Sequence, residues 1–180
     1  AASQQKKHEF PLPALYKIKY RFRLITILAP WYGMNVFKFT YFFGGATMGY
    51  TRWKYETLVK LCNDAFRKFG FNGEDSGVIT DVLLLSDLYG IESHGMQRMA
   101  RYYNSIKKGM IKVEAKPEVV FETPVSAVID GHDGMGQLIG HRGMTLAIEK
   151  AKASGVGIVT ARNSNHYGIA GYFAKMACDE

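Results

Sequence analysis

A chain of 180 residues, 47% hydrophobic and 22% charged with 19 glycines, has the material for one packed domain and an extension. It is too short for a typical barrel enzyme of about 250 residues, and the composition excludes collagen, disorder and a many-span membrane protein. The net charge of +7 would favour an anionic partner only if it were spread over the whole chain. Residues 1–47 concentrate it: they hold seven basic residues (Lys6, Lys7, Lys17, Lys19, Arg21, Arg23, Lys38) against the acid Glu9, together with 11 of the 24 aromatics.

Both excesses end near Met48, which reads as a boundary. The expected organisation is a basic, aromatic extension over 1–47, a helical subdomain over 48–115 and the start of an α/β domain, truncated, over 116–180. Residues 24–46 are the longest apolar stretch, but Pro30, Gly33, Asn35, Lys38 and Gly44 interrupt it, and a spanning helix needs roughly 20 apolar residues. The basic residues before Leu24 resemble a secretory leader, without a small-residue cleavage site directly after the apolar run. Because the chain opens at Ala1 and Met48 precedes the ordered pattern, the extension is expected to be an upstream reading or a fusion scar. The competing expectation is a non-enzymatic module that binds a membrane or RNA through this segment. Cys62 and Cys178 stand alone, with no CxxC or HExxH, so neither a disulfide framework nor a zinc site is indicated and a reducing cytoplasm is expected.

Along the ordered part, Leu58, Leu61, Ala65, Phe66 and Phe69 recur at helical spacing and Gly70 ends the helix. Asn72 is the expected cap of a second helix carrying Val78, Ile79, Val82, Leu85 and Leu88, with Asp75 in its first turn and Gly90 as its stop. Ser93 is the expected cap of a third, with Met99, Tyr102, Tyr103 and Ile106 on one side and Gly109 at its end. The period then changes: 119–121 and 125–129 read as two strands, 136–154 as a helix closed by Gly155, and 157–161 as a third strand. A final helical pattern, Ala170, Phe173 and Met176, runs to Glu180. The expected class is α/β, or mixed α+β: a helical subdomain followed by part of a mixed-sheet domain. Should the last two strands share a sheet, the helix between them is a right-handed crossover.

Three places offer chemistry. Gly134-Met135-Gly136 opens a helix after a strand, as a dinucleotide fingerprint does. The third glycine is missing, because Ile139 stands there, and no acid follows the next strand to hold a ribose, so the glycines are expected to serve a tight turn. His94 and Arg98 lie four residues apart, on one face of the expected third helix. An arginine there can grip a carboxylate in a paired hydrogen bond while an imidazole exchanges a proton near neutral pH. The same spacing also suits a capping or surface histidine. His166 follows a strand end, where ligands of α/β sheets collect, but a lone loop histidine is also an ordinary structural residue. His132 and His141 receive no role.

The segments Asp87-Leu88-Tyr89-Gly90-Ile91-Glu92-Ser93-His94-Gly95 with Arg98 and Tyr102, then Val128-Ile129-Asp130-Gly131, then Asn163-Ser164-Asn165-His166-Tyr167-Gly168, occur in that order. Together they resemble the type-2 malate/L-lactate dehydrogenase family, which is unrelated to the Rossmann lactate dehydrogenases. The resemblance implies a homodimeric, NAD- or NADP-dependent enzyme that interconverts a 2-hydroxy acid and its 2-oxo acid by hydride transfer. It places the family's two site histidines on His94 and His166, its carboxylate-binding arginine on Arg98, and Ser93 in the same pocket. Tyr89 and Glu92 depart from the Arg and Asp often found at those positions. Family members are much longer than this chain and carry most of their nicotinamide contacts beyond the position of Glu180. An incomplete enzyme, inactive alone, is therefore expected, with neither nucleic acid nor membrane as partner.

Overall fold

The computed structural model describes residues 16–18 and 51–180, with side chains from Trp53 onward. The apolar stretch at 24–46 lies outside these residues, and so does any membrane- or RNA-binding role of the extension. Strand β1 (Tyr16–Ile18) pairs antiparallel with β2 (Thr51–Trp53), Lys17 opposite Arg52.

Helix α1 (Tyr55–Lys68) buries Leu58, Cys62, Ala65 and Phe66, a stripe that recurs on one side at three- and four-residue steps. Arg67 and Lys68 in its last turn face the negative end of the helix dipole, and Gly70, at φ +110°, carries the chain into a left-handed turn few other residues adopt. Helix α2 (Gly73–Leu88) starts as the sequence predicts: the Asn72 side chain accepts a hydrogen bond from the Asp75 amide at 2.8 Å. Its buried residues, among them Ser76, Ile79, Val82, Leu83 and Leu84, extend round more than one stripe, because α2 lies between α1 and the later helix α4 (Gly136–Ser154).

The third helix departs from expectation. Instead of one helix beginning at Ser93, two 3-10 turns, Glu92–His94 and Met96–Arg98, precede α3 (Met99–Lys107). The Asp87 carboxylate of α2 causes the break. Its Oδ2 accepts from the Met96 amide at 2.9 Å, and it fills the space where a side chain on Gly95 would begin, 1.9 Å from an ideal Cβ. The Met96 amide is held there by a side chain other than that of Ser93, Gly95 is extended, and the Ser93 side chain makes no cap bond.

Strands β3 (Glu118–Glu122) and β4 (Ser126–Asp130) form the expected hairpin, β3 running about one residue further at each end than expected and β4 shifted by about one residue. Thr123 Oγ1 accepts from the Ser126 amide at 2.9 Å across the turn. Strand β5 (Ile158–Arg162) joins β4 in parallel, from Ser126 opposite Ile158 to Asp130 opposite Arg162, giving the order β3-β4-β5. α4 makes the crossover and ends on Gly155 at φ +82°. The last helix, α5 (Ala170–Cys178), stops short of Glu180. The class is mixed α/β with a mixed sheet. The main core joins α1, α2 and α3 to the start of α4 through Phe66, Leu83, Met99, Tyr102 and Met135. Ala127, Ile129 and Ile139 are buried between β4 and α4. That packing brings the carboxyl end of β5 to the broken helix start after α2.

Candidate active site

His166 sits on the loop leaving β5, and four contacts fix that loop. At its root the Asp130 carboxylate accepts from Asn163 Nδ2 at 3.0 Å, from the His132 amide at 2.9 Å and from Arg162 Nε at 2.9 Å. These bonds, the one from Asn163 foremost, hold its carboxyl down at about 2. Next, Asn165 Nδ2 donates to the carbonyls of Asp133 at 2.9 Å and Gly134 at 3.0 Å. A Cβ on Gly136, at the start of α4, would lie 2.3 Å from the Asn165 carbonyl oxygen and 2.5 Å from that of His166, so this glycine is required by the loop lying against it. Gly168, at φ +91°, then backs onto Val82 of α2.

The ring of His166 meets that of His94, centroids 5.1 Å apart and planes tilted by 33°. His94 comes from the first 3-10 turn, where its Nδ1 lies 2.9 Å from the Ser93 hydroxyl. Arg98, in the second turn, donates from Nε to the Ser93 carbonyl at 2.5 Å. This bond ties the guanidinium back across the break at Gly95, so Arg98 and His94 are neighbours although they share no helix. His166 Nδ1 lies 2.8 Å from the Tyr102 hydroxyl, and Gln137 Nε2 donates to that hydroxyl at 2.7 Å. Burial, then the positive charge of Arg98 and the proximity of His94, push the His166 imidazole down to about 4, so it is neutral at pH 7. Burial drives the Tyr102 phenol the other way, up to about 12.

Ser93, His94, Arg98 and His166 are thus brought into one cluster from two stretches of chain. His132 lies elsewhere, between Asp130 and the exposed Glu118. Around the Gly134-Met135-Gly136 turn the protein's own backbone packs closely, with the Gly131 carbonyl against Gly134 and those of Asn165 and His166 against Gly136, as a tight turn requires.

A family model for malate/L-lactate dehydrogenase matches residues 53–180. The chain belongs to the malate/L-lactate dehydrogenase family. The malate dehydrogenase of Pyrococcus horikoshii is 47% identical over 131 residues, 73% of this chain and 36% of its own length. The L-sulfolactate dehydrogenase of Methanocaldococcus jannaschii is 44% identical over 127 residues, 71% of this chain and 37% of its own. Among solved structures, the malate dehydrogenase of Pyrococcus horikoshii OT3 superposes with a TM-score of 0.68 at 48% identity, covering 69% of this chain and 36% of that one. The malate dehydrogenase of Entamoeba histolytica gives 0.67 at 42%, covering 69% and 35%. This chain therefore spans about a third of the length of the malate/L-lactate dehydrogenases it matches.

Sequence reasoning gave no role to Tyr102, Gln137 or Asp87, which the structure places against His166, the Tyr102 hydroxyl and the Met96 amide respectively. Tyr102 reads as one more apolar position in a helical stripe, and Gln137 sits inside the glycine run that looks like a failed nucleotide motif. A usable signal was a polar side chain at a position whose neighbours Met135 and Ile139 are core.

Proposed function

We propose that this chain carries the acid-binding and proton-handling part of an NAD- or NADP-dependent dehydrogenase that interconverts a 2-hydroxy acid, malate- or lactate-like, and its 2-oxo acid. The observation that carries the reading is the approach of two imidazoles to 5.1 Å beside the Arg98 guanidinium, from positions 72 residues apart in sequence (94 and 166). Arg98 grips the substrate carboxylate through its terminal nitrogens, because Nε is already spent on Ser93. The two imidazoles serve the substrate oxygen: in oxidation the hydroxyl proton leaves for a ring nitrogen, and in reduction it returns. Ser93 steadies His94 through its hydroxyl. Fixing the acid and the proton acceptor together turns an encounter into an intramolecular step.

A nicotinamide carries the hydride in this reading. A Rossmann-type cradle is not among the described residues, since the glycine run has Ile139 in place of its third glycine and no acid stands at the end of β5 in Thr160-Ala161-Arg162. Most of its contacts are assigned to polypeptide beyond the position of Glu180, so the 180-residue chain alone is expected to be inactive. We further propose that residues 1–47 lie outside the catalytic module and that the complete protein is a cytoplasmic homodimer. Among the described residues no helix is long and apolar enough to cross a membrane.

The test is reduction of NAD and NADP by the full-length protein with a panel of malate, sulfolactate and lactate. At least one acid should support turnover, and Arg98→Ala should raise KM for it by on the order of 10- to 100-fold, the loss of a charge-assisted pair. Absence of hydride transfer with every acid and both cofactors would overturn the assignment.

A further inference from the structure

We infer that Tyr102 and Gln137 are positioning residues that lock His166 into one neutral tautomer, with its proton on Nε2. This ring then offers an N–H to the substrate oxygen while His94 exchanges the proton. The inference rests on the reading of His166 as a substrate-facing ring, and it divides the labour that reading leaves shared.

The direction of the hydrogen bonds follows from counting protons. A phenol has one hydrogen to give. The Tyr102 hydroxyl is almost wholly buried and lies between Gln137 Nε2 at 2.7 Å and His166 Nδ1 at 2.8 Å. An amide nitrogen only donates, so the Tyr102 oxygen accepts from Gln137 and its own hydrogen goes to His166 Nδ1. A second donor reaches the same atom and does not depend on how the Gln137 amide is oriented. The backbone N–H of Gly168 points at His166 Nδ1 from 3.4 Å. Two donors on one ring nitrogen require it to be bare, and in a neutral imidazole the proton then sits on Nε2. The ring stays neutral because it is partly buried and faces Arg98, Arg101 and His94, which together disfavour an imidazolium.

Gln137 itself is fully buried, and its Oε1 has no hydrogen-bond partner among the described residues. A side chain that leaves an acceptor unmet in the core is poorly explained by stability alone. Its useful contact is the one to Tyr102. Fixed in this way, His166 behaves as a neutral electrophile that polarises a carbonyl oxygen, while His94, whose Nδ1 meets the Ser93 hydroxyl, is left to take up and return the proton.

The experiment is nitrogen-15 NMR of histidine-labelled full-length protein at pH 7, read beside steady-state kinetics. Expected in the unsubstituted protein is a His166 signal with protonated Nε2 and bare, hydrogen-bonded Nδ1. Tyr102→Phe, which keeps the ring, should move Nδ1 toward the position of an unbonded nitrogen. It should also lower kcat by on the order of 10- to 100-fold with KM little changed, the usual cost of losing an outer partner of a working imidazole. Gln137→Met, close in volume, should weaken the same Nδ1 bond and provides the reading if Tyr102→Phe does not fold. A proton on Nδ1 of His166, or a spectrum unmoved by both substitutions, would overturn the inference. Because the tautomer is read without turnover, it can stand or fall separately from the dehydrogenase assignment. Loss of hydride transfer everywhere with the tautomer intact sinks only the latter.

Discussion

His166 refuses a proton that the unfolded chain would accept, and that has a consequence for stability. Its imidazole is held at about 4 against an ordinary value of 6.5. Between these values the unfolded state binds more protons than the folded one, so stability is fully present above pH 6.5 and declines as pH falls toward 4. Asp130, held at about 2 against 3.8, adds its own loss, but only below pH 4, where the unfolded carboxylate is protonated first. Urea unfolding at a series of pH values should therefore show a decline that starts near 6.5. In His166→Gln the decline between 6.5 and 4 should be reduced and the one below 4 retained. An identical profile in both proteins would mean that His166 titrates normally in the fold. At this scale the sequence marked His94, Arg98 and His166 by residue type. The roles proposed for Tyr102 and Gln137 were not legible, because they depend on a contact between α3 and α4, 35 positions apart.

The elements were legible where their signals are local. The Asn72 cap, the stops at Gly70 and Gly155, and the change of period before β3 all depend on residues within a turn of each other. The third helix failed because its start is decided by Asp87, nine positions upstream, reaching across to the Met96 amide. The same distinction explains Gly136. From sequence it belongs to a nucleotide-like turn; in the fold it is the point where α4 and the His166 loop touch, with backbone oxygens 2.3 and 2.5 Å from a would-be Cβ. Neither carbonyl is the end of a flexible side chain, so Gly136→Ala must push the loop away. The expected cost is about 1–3 kcal/mol of stability, as for other overpacked sites, accompanied by a fall in turnover as His166 moves. Unfolding and activity measured on the same preparation check both. A variant as stable and as active as the parent would show that the loop is not seated on the helix start.

On the scale of the molecule, a chain about a third as long as the malate/L-lactate dehydrogenases it matches already assembles two imidazoles and a guanidinium. The outer side of the sheet carries Phe121 and Ile158, each 58% exposed, so the packed layers lie on the helical side, where the site is. The sequence could name the family from motifs scattered over the chain, but not the convergence of those motifs, which depends on β5, α4 and α2 meeting at one point. That convergence is best measured by a double-mutant cycle on kcat in the full-length enzyme, with His94→Ala, His166→Ala and the pair. Each single substitution should lower turnover by roughly two to four decades. The double variant should lose little more than the worse of the two, because groups acting on one substrate oxygen fail together. Single variants that turn over like the parent, or losses that simply multiply, would contradict a shared pocket.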